Sequence, residues 1–531
     1  MADSTLYYGG TILTLEDTLY AQALLEEDGR IRYVGTMEQA QQLSNTQTRK
    51  VDLQGKTLMP AFLDPHSHFM AYANAMLQVP LGECATQEEL CQKLADFVQE
   101  QHIPKGQWIK GTGYDHNCLQ EGTPPKREML DTYCPEHPVI IQHASGHVGV
   151  YNTKALEQLG ITEATPCPDG GVMEVDAQGK LTGYMEENAF LAFQKKVPMD
   201  DPQKLLDAML KAQERYASYG ITTVQEGMFM DAMVPLYQQA MEKNLLKLDV
   251  VAYQDPRDCQ QIQKVFQEHE GIYHNHLKLG GNKIFLDGSP QGRTAWLRTP
   301  YEGGEKEDCG YPVLTDKQVY DYIAQALEQG VQLLAHCNGD RAAEQYLTVM
   351  AQVERDKGKK LERPVMVHAQ LLGEDQMEAV KSLTMIPSFF IAHVYHWGDV
   401  HLKNLGRERA SHISPAASAL KHGILFTFHQ DTPVIAPNML ETVWCAVNRI
   451  TKEGKLLGAE ERIPVLEALK AVTIHAAYQY FEEEEKGSLK RGKQANFVIL
   501  SHDPLRVPPS MLRDIQVLET IQRGQTIYRQ E

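Results

Sequence analysis

Apolar residues near the start of the chain fall in short runs broken by turn chemistry, at 6–13, 31–34 and 57–60, with the polar stretch Glu27-Asp28-Gly29 between the first two. Such runs predict β-strands. The other end repeats this texture at 495–500 and 517–529, the latter interrupted at Arg523-Gly524, so one composite β domain built from both termini is expected. Between the ends the pattern changes to strand-like apolar runs that alternate with helix-like segments, as βα units do. The run 221–224 follows a helical stretch at 202–219, 331–335 follows 315–329, 365–367 follows 341–354, and 424–428 follows 414–422. Residues 75–200 break this rhythm, being rich in Pro, Gly and Cys with helical pieces such as 86–100. They are expected to form an insertion over the mouth of the βα layer that contributes to specificity.

Composition narrows the function classes. With 42% apolar and 23% charged residues over 531 positions, the chain has ordinary globular composition. A formal charge of −19 disfavours nucleic acid and anionic membrane as partners. No stretch approaches the ~18 uninterrupted apolar residues of a membrane span. The nine cysteines form no CxxC pair and the N-terminus lacks a basic segment followed by an apolar one, so a cytoplasmic location with reduced thiols is expected. The acidic run Glu482-Glu483-Glu484-Glu485 reads as a solvated loop.

Candidate chemistry concentrates where strands end. In Asp64-Pro65-His66-Ser67-His68 the two histidines are two residues apart, and on an extended chain such residues face the same way and can present both imidazoles to one ion. Three later runs also end in residues of ligand type: His336, His368, and Asp431 two positions after His429. Barrel enzymes carry their chemistry at the C-terminal ends of strands, and five such residues in this order point to a metal site. Asp340, in HCNGDRAA, either caps the following helix or orients His336.

The segments LMPAFLDPHSHF, SGHVGVYNTKAL, NKIFLDGSPQGRTAWL, HCNGDRAA, VHAQ, HVYHWGD, FTFHQDTPV, ALKAVTIHAA and KGSLKRGKQANFVILSHDP together resemble the amidohydrolase superfamily. Within it they are similar to the YtcJ-like branch, which includes the N-substituted formamide deformylases. The resemblance implies an α/β fold, a (β/α)8 TIM-type barrel over 59–484 with the insertion at 75–200, and a composite β-sandwich from 1–58 and 485–531. It also implies one or two divalent metals, zinc expected, and hydrolysis of an amide or N-formyl-type carbon–nitrogen bond in a small molecule. A homodimer is expected because the superfamily is often oligomeric. The resemblance further implicates Lys283, in NKIFLDG, as a lysine carboxylated by carbon dioxide that bridges two metals. The other reading of Lys283 is an ordinary cation that pairs with Asp287 or with a substrate carboxylate.

In this reading His66, His68, Lys283, His336, His368 and Asp431 hold the metals, and Asp431 is the catalytic proton carrier. His147, in SGHVGVYN, is a candidate substrate contact. His429 departs from the branch's usual pattern and is left without a role. A deaminase of a cyclic amidine would use the same ligands and differ in its products. A non-catalytic sensor barrel would have no need of a proton-shuttling carboxylate at 431.

Overall fold

The computed structural model describes residues 4–116, 119–143, 148–168, 170–198 and 201–531. The chain divides into two compact units, residues 1–70 with 212–531, and residues 71–211.

In the first unit an eight-stranded sheet draws on both ends of the chain. Ser4–Leu13, Tyr20–Glu27, Arg30–Gly35, Arg49–Asp52 and Thr57–Pro60 come from the start, and Phe497–Leu500, Val517–Gln522 and Gln525–Arg529 from the end. The two sets join where Phe497 lies opposite Pro60 and Leu500 opposite Thr57 in an antiparallel ladder. The strand Tyr20–Glu27 was not evident from polarity, since Ala23, Leu24 and Leu25 are all buried. Leu24 packs with Ile12, Leu58 and Phe497. Ala23 and Leu25 pack with Leu6 and with Ala40 of the helix Met37–Leu43. A strand covered on both faces loses the period of two on which strand reading depends. Asp28 (φ 50°) and Gly29 (φ 79°) turn the chain into the next strand, matching a hairpin turn that needs two left-handed residues.

The same unit holds a second eight-stranded sheet, parallel throughout and ordered as in the sequence. Its strands are β1 (Phe62–Leu63), β2 (Ile221–Phe229), β3 (Asp249–Gln254), β4 (Leu277–Phe285), β5 (Gln332–Cys337), β6 (Val365–His368), β7 (Ile386–Phe389) and β8 (Thr427–Phe428). Every residue of β3, β6 and β7 is buried, as expected of parallel strands covered on both faces. One core cluster joins Leu63, Val251, Tyr253, Leu334, Val365, Val367 and Ile386 to Ala476, Ala477 and Tyr480 near the end of the layer. Helices between the strands carry ordinary stop and start signals. Thr315 and Gln318 form a capping box ahead of Asp316–Gln329, and Gly330 ends that helix at φ 70°. Among the described residues no ladder joins β1 to β8, but His68 N donates to Thr432 O at 2.8 Å just beyond both strands.

The second unit, residues 71–211, contains a mixed six-stranded sheet. Val79–Pro80, Ile109–Tyr114 and Val139–His143 run parallel. Val148–Tyr151, Leu181–Glu186 and Gly171–Val175 complete it antiparallel. Its core packs Leu90, Cys91 and Leu94 of the helix Gln87–Glu100 against Ile109, Val139 and Ile141. Burial pushes the Cys91 thiol up to about 12 and that of Cys134 to about 11, so these cysteines act as small apolar core residues. The sheet escaped the sequence reading because its strands are short and glycine-punctuated, as in Ile109–Tyr114, IKGTGY. Among the described residues no helix is long and apolar enough to cross a membrane.

Candidate active site

Residues at or just past the C-terminal ends of β1, β4, β5, β6 and β8 meet in one cluster, and hydrogen bonds around them orient the imidazole rings. His66, three residues past β1, is buried and donates from Nδ1 to Gln225 Oε1 at 2.6 Å. Gln225, on β2, cannot turn away, because its Nε2 donates to Pro65 O (2.7 Å) and Tyr480 Oη (3.2 Å). The lone pair of His66 therefore lies on Nε2, which is 3.3 Å from Asp431 Oδ1 and 3.3 Å from Lys283 Nζ.

His336, on β5, has Nε2 3.1 Å from both Gly288 O and Asn338 Nδ2, and its inward ring nitrogen is Nδ1. That atom is 3.1 Å from His368 Nε2. His368, at the end of β6, has Nδ1 hydrogen-bonded to His429 Nε2 at 3.1 Å, and His429 Nδ1 is hydrogen-bonded in turn to Ser388 Oγ at 2.9 Å, a chain that can run in either direction. The histidine left without a role by sequence is thus the outer hydrogen-bond partner of His368, the place that orienting groups take beside metal-binding histidines. His68 Nε2 approaches Asp431 Oδ1 at 3.4 Å.

These contacts do not balance on their own. His336 Nδ1 and His368 Nε2 approach to 3.1 Å, a contact that needs a proton or a cation shared between them. The same holds for His66 Nε2 and the Asp431 carboxylate. A proton is disfavoured there: burial, then Lys283, pushes His66 down to about 3, and burial and Lys283 push His336 down to about 4. Neutral imidazole is the ligating form. A tetrahedral shell with ~2.0–2.1 Å metal–nitrogen bonds spaces its donors about 3.4 Å apart, close to the separations found here. The donor set therefore fits a divalent metal ion.

Asp431 lies three residues past β8 with φ 53°, and His368 and Ala369 have φ 75° and 46°. Left-handed backbone at residues other than glycine costs of order 1–3 kcal/mol each and gathers at functional sites. Against burial, which raises it, the contacts with His66 and His68 hold the Asp431 carboxyl well below the usual carboxylate range.

Lys283, on β4, is buried, and burial pushes its ammonium down to about 7. It does not pair with Asp287, as one reading of the sequence allowed. Asp287 is committed to backbone N–H groups of Trp296 (2.9 Å), Asn338 (2.9 Å) and Gly339 (2.7 Å). Asp340 corrects both sequence expectations. The N-cap of helix Asp340–Lys357 is Gly339, and Asp340 Oδ1 accepts from Arg298 N at 2.9 Å rather than reaching His336. The carboxylate near His336 Nε2 is Asp287, at 3.9 Å. His147 lies outside the described residues.

Sequence reading missed Gln225 and Glu226. Glu226 is buried and accepts from Met70 N and Tyr237 Oη, both at 2.8 Å, fixing the chain just after His68. The available signal was the run 221–224, which β2 continues through both residues to Phe229.

Comparison with known proteins identifies the family. The model of the amidohydrolase family matches residues 49–528. The YtcJ protein of Bacillus subtilis (strain 168), an amidohydrolase by its given name, is 27% identical over 98% of this chain and 99% of its own length. The N-substituted formamide deformylase of Arthrobacter pascens is 28% identical over 96% of this chain and 95% of its own. A crystal structure of an uncharacterized metal-dependent hydrolase from Pyrococcus horikoshii OT3 superposes with a TM-score of 0.79 at 26% identity, covering 96% of this chain and 99% of that one. The chain belongs to the amidohydrolase family and is a metal-dependent hydrolytic enzyme acting on carbon–nitrogen bonds.

Proposed function

We propose that the enzyme hydrolyses an amide or N-formyl bond of a small molecule at this cluster, with His66, His68, Lys283, His336, His368 and Asp431 holding one or two divalent ions, zinc foremost. The observation that carries the reading is Asp431 Oδ1, buried without a hydrogen-bond partner and 3.3 Å from His66 Nε2, a ring whose proton Gln225 holds on Nδ1. A closed eight-stranded barrel is part of the reading. The core cluster spanning Leu63 of β1 to Ile386 of β7 and the His68–Thr432 hydrogen bond support it.

A divalent ion held there polarises a carbonyl and brings the pKa of water to about 7. The protein's share is orientation and proton transfer. Asp431, kept ionised by its histidine contacts, takes the proton from the attacking water and returns it to the leaving nitrogen, which would otherwise depart as a strongly basic anion. Gln225 keeps His66 Nε2 unprotonated on the inner side, and Gly288 and the Ser388–His429 pair hold the rings of His336 and His368 in place.

Lys283 is proposed to be carboxylated. Its Nζ faces His66 Nε2 instead of a carboxylate. A neutral amine adds carbon dioxide with loss of one proton, giving an anionic carbamate with two oxygens that can bridge metals, whereas an ammonium beside dications is repelled. The similarity to the Arthrobacter pascens deformylase makes N-substituted formamides the first substrate class to assay. The test is product analysis with a panel of formamides, other amides and cyclic amidines after zinc loading. Formate or another carboxylate with the free amine is the expected result, and ammonia without an acid would replace amide cleavage with deamination.

A further inference from the structure

Among the described residues, two groups of His, Cys, Asp or Glu side chains bring three donor atoms within 4.8 Å of one another. One is His66, His368 and Asp431. The other, Asp115, His116 and His143, belongs to the second unit, residues 71–211. It repeats the logic of the first on a different sheet. Ile109–Tyr114 and Val139–His143 are adjacent parallel strands with Tyr114 in register with His143. Asp115 and His116 are the first two residues past one strand, and His143 is the last of the other.

The contacts within this trio point to a ligand. His143 Nε2 lies 3.3 Å from Asp115 Oδ1, near the ~3.4 Å donor spacing of a tetrahedral shell. The His116 ring lies 5.1 Å from that of His143 and tilted by 41°, so the two do not stack face to face. Tyr114 meets the His143 ring edge-on at 5.3 Å, which holds that imidazole in place. His116 Nδ1 is buried with no hydrogen-bond partner, an arrangement that is unfavourable unless something binds there. A simple His–Asp hydrogen bond would account for His143 and Asp115 but gives no reason to bring a second imidazole to the same place.

We propose that Asp115, His116 and His143 form a second divalent-cation site of the transition-metal class, separate from the cluster beyond β1 to β8. Two imidazole nitrogens and one carboxylate oxygen suit zinc, cobalt or nickel better than magnesium or calcium, which prefer all-oxygen shells. One carboxylate against a dication leaves a net positive charge. Three protein donors leave a fourth position for an anionic or neutral oxygen ligand.

The experiment is metal stoichiometry of the full-length protein at equilibrium with zinc chloride, read by elemental analysis. It compares wild type with His116→Gln, His143→Asn, the near-isosteric Asp115→Asn and, separately, His336→Ala. The expected result is a loss of one zinc per chain in each variant of the trio, with wild-type circular dichroism, and retention of that zinc in His336→Ala. Equal zinc content in wild type and in a folded Asp115→Asn or His116→Gln protein would overturn the site and leave the proposed function standing. If zinc is lost only from the trio variants and not from His336→Ala, the second site stands and the reading of the main cluster fails.

Discussion

The two ends of the parallel sheet both bury ionisable groups, and they treat them in opposite ways. At the N-terminal end, Asp249 opens β3 and Lys278 lies near the start of β4. Lys486 Nζ reaches Asp249 Oδ2 at 2.7 Å and Glu482 Oε2 at 2.8 Å, Arg523 Nη2 meets Asp249 Oδ1 at 2.8 Å, and Lys278 pairs with Glu482. Every cation there has a carboxylate. At the C-terminal end, Lys283 faces an imidazole, and Asp431 Oδ1 is buried without a hydrogen-bond partner, 3.3 Å from His66 Nε2. The contrast appears in the two lysines. Burial pushes Lys283 down to about 7, whereas Asp249 and Glu482 outweigh burial and raise Lys486. Buried charge alone therefore does not mark a site. What marks it is a set of groups that cannot neutralise one another and so call for an ion from outside.

The largest expected effect falls on the unbalanced end. His336→Ala should lose bound metal and activity together, since an emptied ligand position leaves His368 without its partner. Asp431→Asn should fold and lower kcat by about 10²–10⁴-fold, the range for a lost proton carrier. Near-normal turnover in Asp431→Asn would remove that residue from the mechanism.

At the balanced end the expected loss is stability. Lys486→Met removes the buried cation that Asp249 and Glu482 share, leaving Asp249 with Arg523 and Glu482 with Lys278, and should destabilise the fold by at most about 3–5 kcal/mol, the cost of breaking a buried pair outright. Denaturant unfolding reads the loss, and the metal content of the folded fraction should be unchanged. Metal lost along with stability would mean that the two ends are not separable.

Smaller effects should follow from the groups that orient the histidines. Gln225→Ala and His429→Ala are expected to weaken metal affinity about 10–100-fold, as loss of such outer partners does. Competition with a chelator measures this, and unchanged affinity would show that neither sets a tautomer.

The mildest test is pH. Lys486, His276 and Arg523 hold Asp249 below its ordinary range against burial, so its contribution to stability is complete above about pH 4 and is lost as pH falls toward the lowered value. Lys486 is raised, so its contribution is complete below about pH 10 and is lost as pH rises through the raised value. Asp249→Asn should lower the melting temperature near neutrality and flatten its decline in acid. A decline as steep as the wild type's would assign the acid sensitivity elsewhere.

The unequal legibility of the two ends has a physical cause. His66, His336, His368 and Asp431 could be read because each sits where an apolar run stops, a local feature of sequence. Gln225, Ser388 and His429 could not be given roles, because orienting another ring is a relation between strands distant in sequence. The acidic run at 482–485 is a loop with Glu484 and Glu485 exposed, as expected, but its inward members could not be read for the same reason. Glu482 turns inward to Lys278 and Lys486, Glu483 pairs with Arg363, and only Glu485 meets its partner Arg30 at an exposed surface. Composition cannot tell which glutamate of four faces the core. The trio in the second unit was likewise invisible, since Asp115-His116 and His143 join only through the pairing of two short strands.

The most direct test of the central claim is anomalous diffraction at the zinc edge from crystals of zinc-supplemented protein. The account predicts an anomalous peak between His336 Nδ1 and His368 Nε2 or between His66 Nε2, His68 Nε2 and Asp431, with density continuous from Lys283 Nζ into a carboxylate. No anomalous signal among these residues, with Lys283 a bare ammonium and the histidines bridged by protons, would contradict it.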